Sequence, residues 1–215
     1  GTALASGHFR HGAIPRSTVT DSLGFVDVDL SAVTRPGKYT LRATLDGTGV
    51  GNEWDIWVYP AEAEPAPTTG YVLARDWTTA RRLLQEGAAV LLVPDNCPGR
   101  KTHFASHFWN PIMFNWDPMI VGTRIEEGHP AFSQFPTAYY ADWQWWDVLN
   151  HAHALDLTDI DGLTPVIQSV DTYEQNRKLG IAFEANVDRG RLFVLCVDAP
   201  ADLTDRPATR QLLHS

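Results

Sequence analysis

The groups in this sequence able to carry out chemistry are two thiols, a serine beside a histidine, and two closely spaced pairs of histidines. Cys97, in VPDNCPG, follows an apolar run and reads as a loop residue. Cys196, in RLFVLCVD, reads as part of a core strand, where a cysteine behaves as a small hydrophobe. A nucleophilic thiol or hydroxyl needs a sharp strand-to-helix turn with small neighbours, a base, and an acid that orients the base. The segment closest to such a turn, SHFWNP at residues 106–111, carries bulky Phe108 and Trp109 where the turn needs glycine. Ser106 and His107 are adjacent, so on one strand their side chains diverge and cannot pair as nucleophile and base. HFASH (103–107) and HAH (151–153) offer paired imidazoles. Histidines two apart share a face on a strand, which suits zinc, but not on a helix, and the HAH pair ends an apparent helix. Half-buried, hydrogen-bonded histidines are the plainer reading, so neither a metal nor a cofactor is expected. Glu126, Glu127, Asp142 and Asp147 supply carboxylates of the kind glycosidases use in pairs. Nothing in their spacing sets a pair apart from the solvated charges of an acidic chain.

The aromatic residues are the more unusual set. Of eight tryptophans, five fall between Trp109 and Trp146. In YYADWQWWDVLNH (139–151), a helical reading puts Trp143, Trp146 and Asn150 on one face and Trp145 and Leu149 on the next. A helix so encircled by indole must bury most of it, in its own core or against a neighbouring domain. Trp143, Trp145 and Trp146 are therefore the interface candidates. A sugar platform needs exposed indole with amide or carboxylate at its rim, because pyranose C–H faces stack on the ring while hydroxyls take hydrogen bonds. Trp109 beside Asn110, and Trp116 next to Asp117, meet that description and are the carbohydrate-binding candidates.

Two kinds of scaffold must position these groups. The chain has 215 residues, a net charge of -9 and 44% hydrophobic residues, an ordinary soluble composition with ample core. Without clustered Lys and Arg, nucleic acid is excluded as a partner. No apolar run is long enough to cross a bilayer, so no membrane partner is expected. Residues 1–60 alternate as β-structure in LGFVDVDLSAV, in RPGKYTLRATLDGT and in NEWDIWVYP. Roughly three or four antiparallel strands, part of a β-sandwich, are expected there. Residues 61–69, rich in Pro, Ala, Glu and Thr, read as a stiff linker. From residue 70 onward, apolar runs such as GYVLARD, AAVLLVPD and LGIAFEANV alternate with helical patterns such as WTTARRLLQEG and the closing RPATRQLLHS. That pattern predicts an α/β domain over 70–215 with a mostly parallel, flavodoxin-like sheet and a late hairpin, FEANVDRGRLFVL. Gly1 at one end, and a helix without a C-cap signal at the other, suggest a piece of a longer polypeptide.

Several of these stretches resemble a known family. HFASHFWNPIMFNWDPMIVGTRIEEGHPAF, FPTAYYADWQWWDVL, IQSVDTYEQNRKLGIAFEANVDRGRLFVLCVD and RPATRQLLHS are similar to the C-terminal region of bacterial glycoside hydrolase family 2 proteins, the β-galactosidase-like group. Residues 1–60, with NEWDIWVYP, are similar to the end of an Ig-like sandwich of the same proteins. The resemblance implies a degenerate class I glutamine amidotransferase-like domain after a partial Ig-like sandwich. It implies a parent polypeptide that hydrolyses β-galactosides or related glycosides on a barrel lying elsewhere, and a periplasmic or secreted location. The barrel's glutamates have no counterpart here, since the chain contains no eightfold βα run. Cys97 comes too early in the strand order to be an amidotransferase nucleophile. The expectation is thus an accessory region without its own active site, which supports the parent's other domains or an oligomer interface and binds glycan. The alternatives are an independent hydrolase using Ser106 or Cys97 and a pure carbohydrate-binding module.

Overall fold

The computed structural model describes residues 3–12, 22–61, 70–105, 113 and 119–215. β1 (Gly37–Leu45) and β2 (Val50–Val58) pair as an antiparallel hairpin in which Tyr39 opposes Ile56 and Leu41 opposes Trp54. Side chains alternate across a strand. One face therefore gathers Tyr39, Leu41, Leu45, Val50, Trp54 and Ile56, and the other gathers Lys38, Thr40, Arg42, Glu53, Asp55 and Trp57. The polar face is zipped by cross-strand ion pairs, Lys38 with Asp55 at 2.8 Å and Arg42 with Glu53. On the apolar face Leu41, Leu45, Val50, Trp54 and Ile56 are all exposed. The LGFVDVDLSAV segment, expected as a further strand, forms none, and Phe25, Val26 and Val28 lie exposed. Alternation specifies which face a strand would bury but supplies no partner for its backbone groups. Among the described residues the expected partial sandwich is a single hairpin.

The remaining elements are β3 (Tyr71–Ala74), α1 (Trp77–Gln85), β4 (Ala89–Leu92), β5 (Arg100–Lys101), β6 (Ile120–Ile125), a 3₁₀ turn at Pro130–Phe132, α2 (Trp145–Asn150), β7 (His153–Asp156), β8 (Ile167–Asp171), β9 (Lys178–Val187), β10 (Gly190–Leu195) and α3 (Pro207–His214). The late hairpin forms as expected, β9 with β10, through a turn with Asp188 at φ 52°. α1 starts where Asp76 accepts a hydrogen bond from the Thr79 amide at 2.9 Å and stops before Gly87, at φ 90°.

The mostly parallel, flavodoxin-like sheet is not what forms. Among the described residues only β3–β4 and β4–β10 pair in parallel, while β10–β9, β9–β7, β9–β8, β8–β6 and β7–β5 are antiparallel. Strands dominate the described residues, against three helices of six to nine residues. The misreading has a physical origin. A continuous apolar run marks a strand covered on both faces, a signature typical of parallel sheets but shared by a doubly covered antiparallel strand. β9 is such a strand: Leu179 and Gly180 pair with β7 on one edge and β8 on the other, both antiparallel. Crossover helices are scarce too, because the six-residue α2 runs straight into β7.

Alternation along β10 divides the core between the two faces of this mixed sheet. Leu192, Val194 and Cys196 join Ala80 and Leu84 of α1 and Val90 and Leu92 of β4. Leu195 and Val197 join Trp145, Val148 and Leu149 of α2, and Ala208 and Leu212 of α3. α1 thus covers one face and α2 with α3 the other. At Gly190 a Cβ would run into the Ala88 carbonyl and the Leu84 backbone, so the absence of a side chain lets α1 approach β10. No helix among the described residues is long and apolar enough to cross a membrane.

Candidate functional site

The chain leaving β2 docks on the sheet domain through two residues. The Tyr59 hydroxyl donates to Gln144 Oε1 at 2.7 Å, and its ring stacks on Phe135 with centroids 6.1 Å apart. Gln144 is held in turn, its amide donating to the Pro136 carbonyl, and Arg210 donates to the Pro60 carbonyl at 3.1 Å. Burial, reinforced by the nearby charge of Asp142, pushes ionisation of Tyr59 well upward, so it stays a neutral donor. Beside this joint lies an open groove of about 260 Å³ lined by Asp55, Trp57, Tyr59, Trp143, Trp146 and Asp147, among others. A second recess of about 330 Å³ lies between Arg35, Pro60, Gln134 and His214.

The three tryptophans of the QWW region separate by role. Trp145, fully buried, sits edge-on to Phe132 and Phe135 and donates its indole N–H to Thr137 Oγ1 at 2.9 Å. It is core rather than interface. Trp143 and Trp146 are 67% and 53% exposed, and Trp143 tilts against Phe104 at 5.3 Å. These two indoles, with Trp57 from the hairpin, form an aromatic wall whose polar edge is Asp55, Gln144 and Asp147. Lys38 lies 5.6 Å from the centre of the Trp57 ring. Its ammonium is bonded to Asp55, which raises the lysine pKa and lowers that of the carboxyl. Two polar atoms near the joint, Trp57 Nε1 and Asp142 Oδ1, are buried without a hydrogen-bond partner among the described residues. Burial holds the Asp142 carboxyl above the ordinary carboxylate range.

Acid–base chemistry at this groove is constrained by what Asp147 already does. Arg206 Nε donates to both its oxygens at 2.9 and 3.0 Å, the Thr209 hydroxyl donates at 2.6 Å, and His151 Nδ1 lies 3.1 Å from Oδ1. A carboxylate so fully engaged ties α2 to α3. Glu126 pairs with Arg124 at 2.8 Å. His151 follows the last residue of α2 and His153 lies on β7, 3.8 Å from Asp198. Among the described residues no group of three or more His, Cys, Asp or Glu side chains is placed to hold a metal ion. The carbohydrate candidates Trp109, Asn110, Trp116 and Asp117 lie outside the described residues, as do Ser106 and His107.

Sequence reasoning missed Trp57 and Tyr59 as members of a site. The signal was present in NEWDIWVYP, where alternation puts an indole on the charged face of β2 beside Asp55. A tryptophan there needs a second surface to lie against.

Residues 72–215 match a family described as a domain of unknown function (DUF8487), and residues 1–60 match a second described in the same way (DUF8488). The first match takes in more than half of the chain, which therefore belongs to that family. No curated protein matches the chain.

Proposed function

We propose that this member of the DUF8487 family is a non-catalytic accessory region of a β-galactosidase-like glycoside hydrolase, one that buttresses the rest of that polypeptide and adds a carbohydrate contact. The observation that carries the docking role is the bare apolar face of β1–β2, with Leu41 and Trp54 nearly half exposed at 48% and 47%. A two-stranded hairpin is marginal on its own, and an apolar face of this kind belongs against a second sheet. The glycosidase assignment is supported by the sequence resemblance carried by WQWWD, GHP and RPATRQLL. The carbohydrate contact is supported by the groove, where the indoles of Trp57, Trp143 and Trp146 offer stacking faces and the half-exposed carboxylate of Asp55 offers a hydrogen-bond acceptor to hydroxyls.

Deleting the region from the parent hydrolase is expected to lower its melting temperature and its affinity for polymeric galactan while hydrolysis of a small aryl β-galactoside persists. Loss of that hydrolysis in a deletion variant still folded by circular dichroism would overturn the reading. The groove by itself also favours a second reading, a pure carbohydrate-binding module. Calorimetry separates the two: such a module binds galactan as tightly alone as in the parent, and Trp143→Ala or Trp146→Ala abolishes the binding.

A further inference from the structure

Away from the groove, the chain's two cysteines meet. Cys196 follows β10 and Cys97 lies in the loop after β4, and these strands are parallel neighbours with Leu92 level with Val194. Both cysteines face the α1 side of the sheet, Cys196 fully buried within its apolar cluster and Cys97 packed against it while partly open to solvent. The Cys196 thiol and the Gly99 amide both approach the sulfur of Cys97 from the donor side. Both partners are anchored. Cys196 N–H bonds to the Ile181 carbonyl and its carbonyl accepts from His153 N–H, each at 2.8 Å. The loop is pinned by the Asp95 amide on the Arg75 carbonyl at 3.0 Å and by Gly99, which touches β7 so closely that a Cβ would lie 2.6 Å from the Ala154 carbonyl oxygen.

We propose that Cys97 and Cys196 are a reversible dithiol pair, oxidised by peroxide to a disulfide that ties the loop after β4 to the end of β10. Cys97 is the attacking sulfur because it is the one within reach of solvent. The two donors stabilise its thiolate and bring its pKa down to about 7, whereas Cys196 is held protonated by donating to Cys97 and by burial. The carboxylate of Asp198 opposes ionisation of Cys97 without cancelling it. The thiolate attacks one oxygen of hydrogen peroxide and breaks the O–O bond, leaving a sulfenic acid and a hydroxide that takes up a proton to become water. Cys196 then attacks Cys97 Sγ, so that an S–S bond forms and the S–O bond breaks. The departing hydroxide takes the Cys196 proton as a second water. Two thiols have lost two electrons, and peroxide has gained them. A small dithiol reverses the reaction by exchange.

The test treats the intact chain with stoichiometric hydrogen peroxide, unfolds it in denaturant with N-ethylmaleimide, and reads the whole-protein mass. The expected result is a monomer that takes up no maleimide, yields a Cys97–Cys196 cross-linked peptide on non-reducing digestion, and recovers two adducts after dithiothreitol. Cys196→Ser is expected to stop at a sulfenic acid on Cys97 that dimedone captures, and Cys97→Ser to leave Cys196 unoxidised. Two maleimide adducts on the peroxide-treated wild-type chain would overturn the proposal. So would sulfinic acid on Cys97 without a cross-link, or dimers joined through Cys97. The wild-type peptide map decides the matter even if a serine variant does not fold.

Discussion

In the sheet domain, residues along β10 and just beyond it point at helices on both sides, Leu192 and Val194 toward α1, Leu195 and Val197 toward α2 and α3. In the hairpin, Leu41, Trp54 and Ile56 share one face and all remain exposed. The ion pairs follow the same division. Asp171 in the sheet domain is almost wholly buried and takes hydrogen bonds from Arg177 Nε at 2.6 Å and Nη2 at 3.1 Å. The hairpin's Lys38–Asp55 and Arg42–Glu53 pairs stand in solvent. The difference teaches where each region gets its stability. The sheet domain closes its own core. The hairpin is shaped to bury a face it does not bury here, and side chains of this size contribute about 1.5–3 kcal/mol each when fully buried.

The largest contrast is expected among adjacent tryptophans. Trp145→Ala should cost about 3–5 kcal/mol in urea unfolding, because the ring is enclosed by Phe132 and Phe135. Trp143→Ala, on the surface, should change stability by no more than about 0.5 kcal/mol. Equal losses would erase the distinction between core and groove.

Next comes the buried pair. Arg177→Met leaves the Asp171 carboxylate uncompensated and should cost about 3 kcal/mol at neutral pH. Burial alone would push the Asp171 carboxyl up, but the hydrogen bonds from Arg177 and the Thr172 amide outweigh it and hold it below the ordinary value. A depressed folded-state pKa stabilises above the unfolded value of about 3.9, and that contribution fades as pH falls through the lower folded value. Urea midpoints between pH 6 and 2 should therefore drop on the acid side in the wild type and drop less in Arg177→Met. The exposed pair is the smaller case. Glu53→Ala should cost only about 0.2–1 kcal/mol, with the loss shrinking in high salt.

Local elements were legible in the sequence where the chain carried its own punctuation. Asp76 and Gly87 bracket α1, and Asp188 with Gly190 turns β9 into β10. Strand direction was not legible, because a doubly buried strand looks alike whether its neighbours run with it or against it. β6 and β7 were missed for a related reason: IVGTRI is broken by a glycine and HALD is only four residues long. The groove was half legible. Trp143 and Trp146 announced themselves, but Trp57 and Tyr59 reach the site only through docking across the joint after β2, a long-range event no local pattern encodes. The thiol pair was hidden likewise. Cys97 and Cys196 are about a hundred residues apart in the chain and meet only because β4 and β10 are neighbours.

The smallest expected effect concerns the face on which the functional reading depends. Leu41→Ser should leave the stability of the chain alone within about 0.5 kcal/mol, whereas in the longer polypeptide proposed above the same change should lower the melting temperature. The most direct test is hydroxyl-radical footprinting of Leu41, Trp54 and Ile56 in the chain alone and within the longer polypeptide. Strong labelling alone and clear protection in the longer form is the result predicted for a docking face. Equal labelling of these side chains in both forms would contradict it.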